Sequence, residues 1–501
     1  MTAYPQLVQK LETITHLERA KAVLSYDQQV FMPSAASAER GAQMAALATV
    51  LHQAKTDPIL LELMDQALQT GEEKEPLTSD QARLLELERK SFVENARVPS
   101  ELAAKAASLA ASAHATWVQA RATSDFAKFA NALQDCFDTS MQIATAKQGS
   151  SENLYDFMVD EYEMGMTQQR LDAIFAQVEE SLVPLIQKVL ASDKGPSMDA
   201  LHGDFAIDQQ QKLSERLVKA IGFNVEKGRI DVSVHPFTSS MSPSDVRITS
   251  RFRTDDWYQG LAGSLHEAGH AMYEQSLPSS ALSLDTYLNM GTHESQSLFW
   301  ERHIGLSQPF WKYATPLLHE ILPNTAKYSA EEIYGAINAV TGQSLIRVEA
   351  DELTYPLHVI LRYNIEKDVI GGKLAVSDIP SRWNADMKRY LNLDVPSDDK
   401  GCLQDVHWSA LAFGYFPTYL IGAIAAAQLY HYCHKDICDL EDRIARGEFQ
   451  PIKEWLTDKV HRHGRRYKSL DALLEAQLGE PLNPQYFLEY LNTKYSDLYH
   501  L

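Results

Sequence analysis

From residue 7 to about 148, apolar residues recur at helical spacing, as at Ala42, Leu47 and Leu51 or at Leu84, Leu85 and Leu87, within stretches rich in Ala, Leu, Glu, Gln and Lys. This half of the chain predicts stacked helices. Turn residues gather at 70–76, 192–196 and 396–401, and each cluster is short enough to predict a loop rather than a linker. The period changes to two in one place: 229–237 and 245–252 alternate β-branched and polar residues, with 239–244 between them. A β-hairpin is predicted there, with an edge able to hold an extended peptide by backbone hydrogen bonds. The stretch 408–430 has no charged residue and could span a bilayer by length, but Pro417, Gln428 and three tyrosines predict a buried core helix instead.

Just after the predicted hairpin, Leu261, Leu265, Ala268 and Met272 form a helical apolar stripe, with Thr254 or Asp255 available as N-cap and Pro278 as a stop. On the adjacent face His266 and His270, four residues apart, aim their imidazoles at one point, and Glu267 lies one step around the helix. This is the H-E-x-x-H arrangement. A match arises by chance in roughly 5% of chains of this length, so two surface histidines stay the plain alternative until a third ligand is found. Thr292 can cap a helix starting at His293-Glu294-Ser295-Gln296, with Leu298 and Glu301 on its inward face and an end near Gly305. Glu294 could then close a His2Glu triad while Glu301 steadies a ligand. His293 is the rival ligand, but it faces about 100° away.

Three protein ligands leave a position for water, the pattern of a catalytic metal site. Such a metal acidifies its water and polarises a carbonyl, while Glu267 moves the proton to the leaving amine. Peptide-bond hydrolysis suits these groups, with exopeptidase and endopeptidase both open. A second cluster, His431, Cys433, His434 and Cys438, has a spacing that fits no familiar closed zinc site.

Composition narrows the setting. The chain has 501 residues, 45% hydrophobic and 23% charged, enough to bury a large core, and a net charge of -21 that argues against a nucleic-acid partner. Four scattered cysteines predict reduced thiols, and Lys10, Glu12, Glu18 and Arg19 interrupt any secretory signal, so a cytoplasmic protein is expected.

Six stretches resemble the carboxypeptidase Taq family of thermostable-type zinc metallocarboxypeptidases. They are Tyr26-Asp27-Gln28 with Met32-Pro33, Asp245-Val246-Arg247-Ile248-Thr249, the His266 motif, His293-Glu294-Ser295-Gln296, Ile346-Arg347-Val348-Glu349-Ala350-Asp351, and Gly401-Cys402-Leu403-Gln404-Asp405-Val406-His407-Trp408. Only Tyr26 departs, standing where a tryptophan is expected.

The resemblance implies a mainly α fold similar to neurolysin and angiotensin-converting enzyme: one domain in two lobes, about 1–225 and 226–501, around a deep groove. It also implies a homodimer that binds Zn2+, with Co2+ possible, and removes C-terminal residues from peptides with a free C-terminus; the charge and the make-up of 408–430 add the expectation of no nucleic-acid or membrane partner. A guanidinium fork matches a carboxylate, and Arg347 is favoured for that task with Arg247 in support. The plain alternatives are ion pairs with Asp351 and Asp245. His407, Tyr415 and Tyr419 resemble an active-site wall that could stabilise an oxyanion; Asp405, in the same loop as His407, is expected from proximity to orient that imidazole. Two other functions compete: an oligopeptidase cutting inside peptides, and a helical zinc protein without catalysis.

Overall fold

Helix starts are set by local chemistry. Thr78 and Ser329 each form a reciprocal capping box, with Gln81 and Glu332, and Thr167 and Ser307 accept from the backbone three residues on. The computed structural model describes residues 3–73, 76–150, 152–342 and 344–501. It is mainly helical, as expected, with one small sheet. The first predicted break, 70–76, is only partly a loop: the helix Ile59–Glu73 runs into it, and residues 74 and 75 lie outside the described residues. The breaks at 192–196 and 396–401 separate helices as predicted, the second holding a short turn at Asp398–Lys400.

Two apolar cores form. Leu7, Leu11, Ile14, Met64, Leu84 and Leu87, from the first helices, build a small one, and the residues from Ala113 to Tyr499 share a large one. The uncharged stretch is part of the large core: Pro417–Asp436 is a helix buried along most of its length. No helix among the described residues is long and apolar enough to cross a membrane.

The β region differs from the predicted hairpin. Strand β1 is Gly228–Val232, β2 is Thr238–Ser242 and β3 is Asp245–Ser250, in the order β1-β3-β2. The hairpin pairs β2 with β3, while β1 runs parallel to β3. The serine-rich segment read as a turn is thus a strand, because its polar side chains sit half-buried against the helices rather than in a core. Tyr26 fixes the first helix, Ala3–Val30, to this sheet: its hydroxyl donates to Asp231 at 2.6 Å and its ring packs edge-on against Phe237.

Candidate metal centre and active-site wall

The motif helix, Tyr258–Ser276, begins on Asp256, whose Oδ1 accepts from the backbone of Tyr258 and Gln259, rather than on Thr254 or Asp255. Its predicted apolar stripe is buried, with Leu261, Leu265, Ala268 and Met272 all at 0–1% exposure. The second motif helix is Met290–Leu298, which starts three residues earlier than expected because Asn289, not Thr292, caps it, accepting from the Thr292 backbone at 2.8 Å. It continues into a π-helical turn, Phe299–Gly305, a widened geometry that recurs at functional sites.

Glycines let three helices approach. A Cβ on Gly269 would lie 2.5 Å from the Gln296 carbonyl oxygen, and one on Gly422, in the buried helix Pro417–Asp436, would lie 2.7 Å from Glu294 Cβ. Met290–Leu298 is therefore pressed between the motif helix and the core helix. Glu294 is carried directly to the two histidines.

His266, His270 and Glu294 each offer one donor atom, all within 4.8 Å of one another. His266 Nδ1 donates to Glu301 Oε2 at 2.7 Å and His270 Nδ1 to the His293 carbonyl at 3.0 Å. With both Nδ1 atoms committed to these acceptors, each Nε2 faces Glu294 Oε2, at 4.0 Å and 3.4 Å, and is the atom left to bind a cation once it gives up any proton it carries. Ligand bonds of about 2.0–2.2 Å set tetrahedral donors roughly 3.4 Å apart, so the group fits a divalent cation.

The electrostatics agree. Burial alone would lower the His266 pKa, but Glu294 and Glu301 carry it up to about 10; burial would raise Glu294, but His266 and His270 hold it at about 2. Burial, and then His293, shift His270 down, so one imidazole of the pair is held neutral.

His293 does not join the group. Its Nε2 meets Glu274 at 3.1 Å and its ring stacks on His270, so it supports that ligand by carbonyl and ring. Nor do His431, Cys433, His434 and Cys438 converge: Cys433 is in the core, Cys438 is exposed, and the His-His-Glu group is the one candidate among the described residues. Glu267, buried, accepts from Thr238 Oγ1 at 2.6 Å. Thr238 was not anticipated, since the β2 segment showed almost no apolar alternation.

The second cluster is built around Asp405. Arg347, 5% exposed, directs Nε and Nη2 to Asp405 Oδ1 at 3.1 and 2.9 Å and Nη1 to the Tyr355 hydroxyl at 2.9 Å. Asp405 Oδ2 accepts from Arg362 Nε at 2.6 Å. Asp405 therefore orients two arginines and forms no hydrogen bond with His407, correcting the expectation from proximity. Asp351 likewise does not pair with Arg347; it accepts from the backbone of Leu353 and Thr354. Arg247 behaves as its plain alternative, with both Asp245 oxygens at 2.8 Å and its guanidinium over Tyr26.

His407, Tyr415 and Tyr419 do come together. His407 Nε2 lies 3.1 Å from the Tyr419 hydroxyl, the Tyr415 ring is 5.4 Å from His407, and Arg347 sits 4.8 Å over Tyr419. Burial pulls His407 down to about 4, so it is neutral near pH 7, and its buried Nδ1 has no protein partner. Burial, and after it the charge of Glu294, push the Tyr415 hydroxyl up, which sets this wall beside the metal group.

A helical chain whose H-E-x-x-H helix meets a glutamate from the next helix defines the class of helical metallopeptidases. Residues 6–495 match the model of the carboxypeptidase Taq (M32) metallopeptidases. The chain is 37% identical over 492 residues to carboxypeptidase 1 of Bacillus subtilis (strain 168), covering 98% of this chain and 97% of that one. It is 35% identical over 508 residues to thermostable carboxypeptidase 1 of Thermus thermophilus, covering 99% of each. The crystal structure of an M32 carboxypeptidase from Deinococcus radiodurans R1 superposes with a TM-score of 0.95 at 34% identity, covering 100% of both chains. The chain belongs to the carboxypeptidase Taq (M32) family, and it is a metallocarboxypeptidase, a peptide hydrolase that works with a divalent metal ion.

Proposed function

We propose that the enzyme binds Zn2+, with Co2+ able to replace it, through His266, His270 and Glu294, and releases C-terminal residues from peptides with broad specificity. The observation that carries this reading is the fixing of both Nδ1 atoms, which turns both Nε2 atoms toward Glu294. A cation held there would supply Lewis acidity and would acidify a water molecule. Glu267, with Thr238 fixing one of its oxygens, is the group that would accept a proton from the attacking water and pass it to the leaving amine.

Arg347 receives the substrate carboxylate. Of the five N–H groups of a guanidinium, Asp405 and Tyr355 occupy three, and one is left on each terminal nitrogen, the fork a carboxylate matches. Arg247, tied to Asp245 on the central strand β3, has a supporting role. His407 and the hydroxyls of Tyr415 and Tyr419 donate to the oxyanion as it forms.

Upstream residues of the peptide lie in a cavity of about 1430 Å3, lined by Leu11, Met64 and Leu87 on one side and Leu288, Met290 and Tyr415 on the other. Lobes 1–225 and 226–501 face each other across it. The reading extends to a homodimer in the cytoplasm, the latter supported by four free cysteines.

The test is a ladder of peptides, as free acids and as C-terminal amides, incubated with metal-loaded protein and read by mass spectrometry. Single-residue trimming of the acids and sparing of the amides is expected. Internal cleavage that ignores the amide would replace this reading with an oligopeptidase.

A further inference from the structure

The stretch of the wall that carries His407 and Tyr415 has little regular structure to hold it, whereas Tyr419 stands on a helix. Between a single 3-10 turn, His407–Ala410, and the helix starting at Pro417, the chain turns through Leu411 at φ 59° and Gly414 at φ 79°. A side chain at 414 would be strained, and its Cβ would lie 2.7 Å from the Met158 carbonyl. Something other than the backbone ladder must set where His407 and Tyr415 stand.

One buried carboxylate does so. Glu366, fully buried on the helix Tyr355–Ile370, accepts from Trp408 Nε1 at 2.7 Å through Oε1, and from the Gly414 backbone at 2.9 Å and the Tyr155 hydroxyl at 3.0 Å through Oε2. Trp408 follows His407 and Gly414 precedes Tyr415. One turn earlier on the same helix, Arg362 holds Asp405 and Gln404. Arg362 and Glu366, at i and i+4, thus clamp the wall from behind through these hydrogen bonds, and no step of the hydrolysis uses either.

We infer that Glu366 is the positioning residue of the active-site wall, fixing His407 and Tyr415 through Trp408 and Gly414. The inference rests on the wall's role proposed above. Trp408 Nε1 and the Gly414 amide can only donate, so a glutamine at 366 must turn its own amide hydrogens toward one of them, whichever way it flips.

The experiment measures kcat and KM for Glu366→Gln in two backgrounds, wild type and His407→Ala with Tyr415→Phe, alongside metal content and thermal melting. In the wild-type background kcat should fall about ten- to a hundredfold, as for a displacement near 1 Å at the reacting centre, with metal content unchanged. In the second background the same change should have almost no further effect, because the groups it places are gone. Equal losses in both backgrounds, or none in the first, would overturn the inference. If Glu366→Gln does not fold, Trp408→Phe removes one of the three bonds and keeps an aromatic ring in the core; it should lower kcat a few-fold and lose that effect in the second background, and equal losses would again overturn it. Full activity of the His407→Ala, Tyr415→Phe protein would instead refute the wall reading itself.

Discussion

The metal pocket and the wall opposite it are built by different means. In the pocket the donors stand on helices, His266 and His270 one turn apart and Glu294 on the next, and each ring is fixed by a neighbour on that next helix or on the π-helical turn that continues it. In the wall, His407 and Tyr415 stand on an irregular segment whose shape is imposed by Arg347, Arg362 and Glu366, 41 or more residues away in sequence. A pocket of the first kind tolerates the loss of one outer support, since backbone hydrogen bonds keep the helices in place. A segment of the second kind depends on buried charges, where removing one partner leaves the other uncompensated.

The largest effect expected is at the pocket. Glu267→Gln should keep the cation and lower kcat by about 10³-fold or more, the range of a lost general base. Metal analysis with steady-state kinetics checks it, and near-normal turnover would show that another group moves the proton.

On the wall side, Arg347→Met should reduce the preference for a free-acid over an amide substrate by about a hundredfold, since truncating a buried charged partner costs about 2–5 kcal/mol. Arg362 keeps Asp405 compensated, so the protein should still fold. An unchanged acid-to-amide ratio would move the carboxylate anchor elsewhere, whereas unfolding would show that Arg347 is needed for the wall first.

These two regions also differ in how far the sequence disclosed them. The spacing of His266, Glu267 and His270 is a helical period, so the motif helix and its buried stripe could be read directly. The caps moved to Asp256 and Asn289, because several residues near a helix start can accept from its backbone and tertiary packing selects among them. The wall could be read only as a resemblance. Asp405 stands two residues from His407, yet its partners come from residues 347 and 362, and no local pattern marks a long-range ion pair. Strand β2 escaped for a related reason: Thr238 is placed by its bond to Glu267, while the stretch itself reads as a polar turn.

A smaller effect sharpens the contrast. Glu301→Gln removes the carboxylate that holds His266 but leaves the helix intact, so metal affinity should fall about ten- to a hundredfold while kcat at saturating metal stays close to normal. Titrating chelator-stripped protein with the cation, and following the melting temperature, reads this directly. If kcat falls as well, Glu301 has a part in the reaction beyond holding the ring.

The last prediction concerns pH and separates the regions by stability rather than turnover. Burial holds His407 at about 4 and His358 at about 3 on the wall side, and His461, bonded to Gln296 behind the pocket, at about 3. All lie below the ordinary 6.5, so the unfolded chain takes up these protons first as pH falls. Their contribution is complete above pH 6.5 and drains away as pH drops, to about 4 for His407 and about 3 for His358 and His461. In metal-free protein His266, raised to about 10, has the opposite sign: its contribution is full below pH 6.5 and lost on the alkaline side, so it adds no slope in the acid window. Between pH 6.5 and 5 Glu366, which burial raises to about 7, contributes with the opposite sign, so the readout is the difference from wild type: His358→Gln and His461→Gln should each make the stability from urea melts less acid-sensitive by about one proton, or about 1.4 kcal/mol per pH unit. Flattening by His358→Gln alone would place the acid sensitivity in the wall, the region held by buried charge.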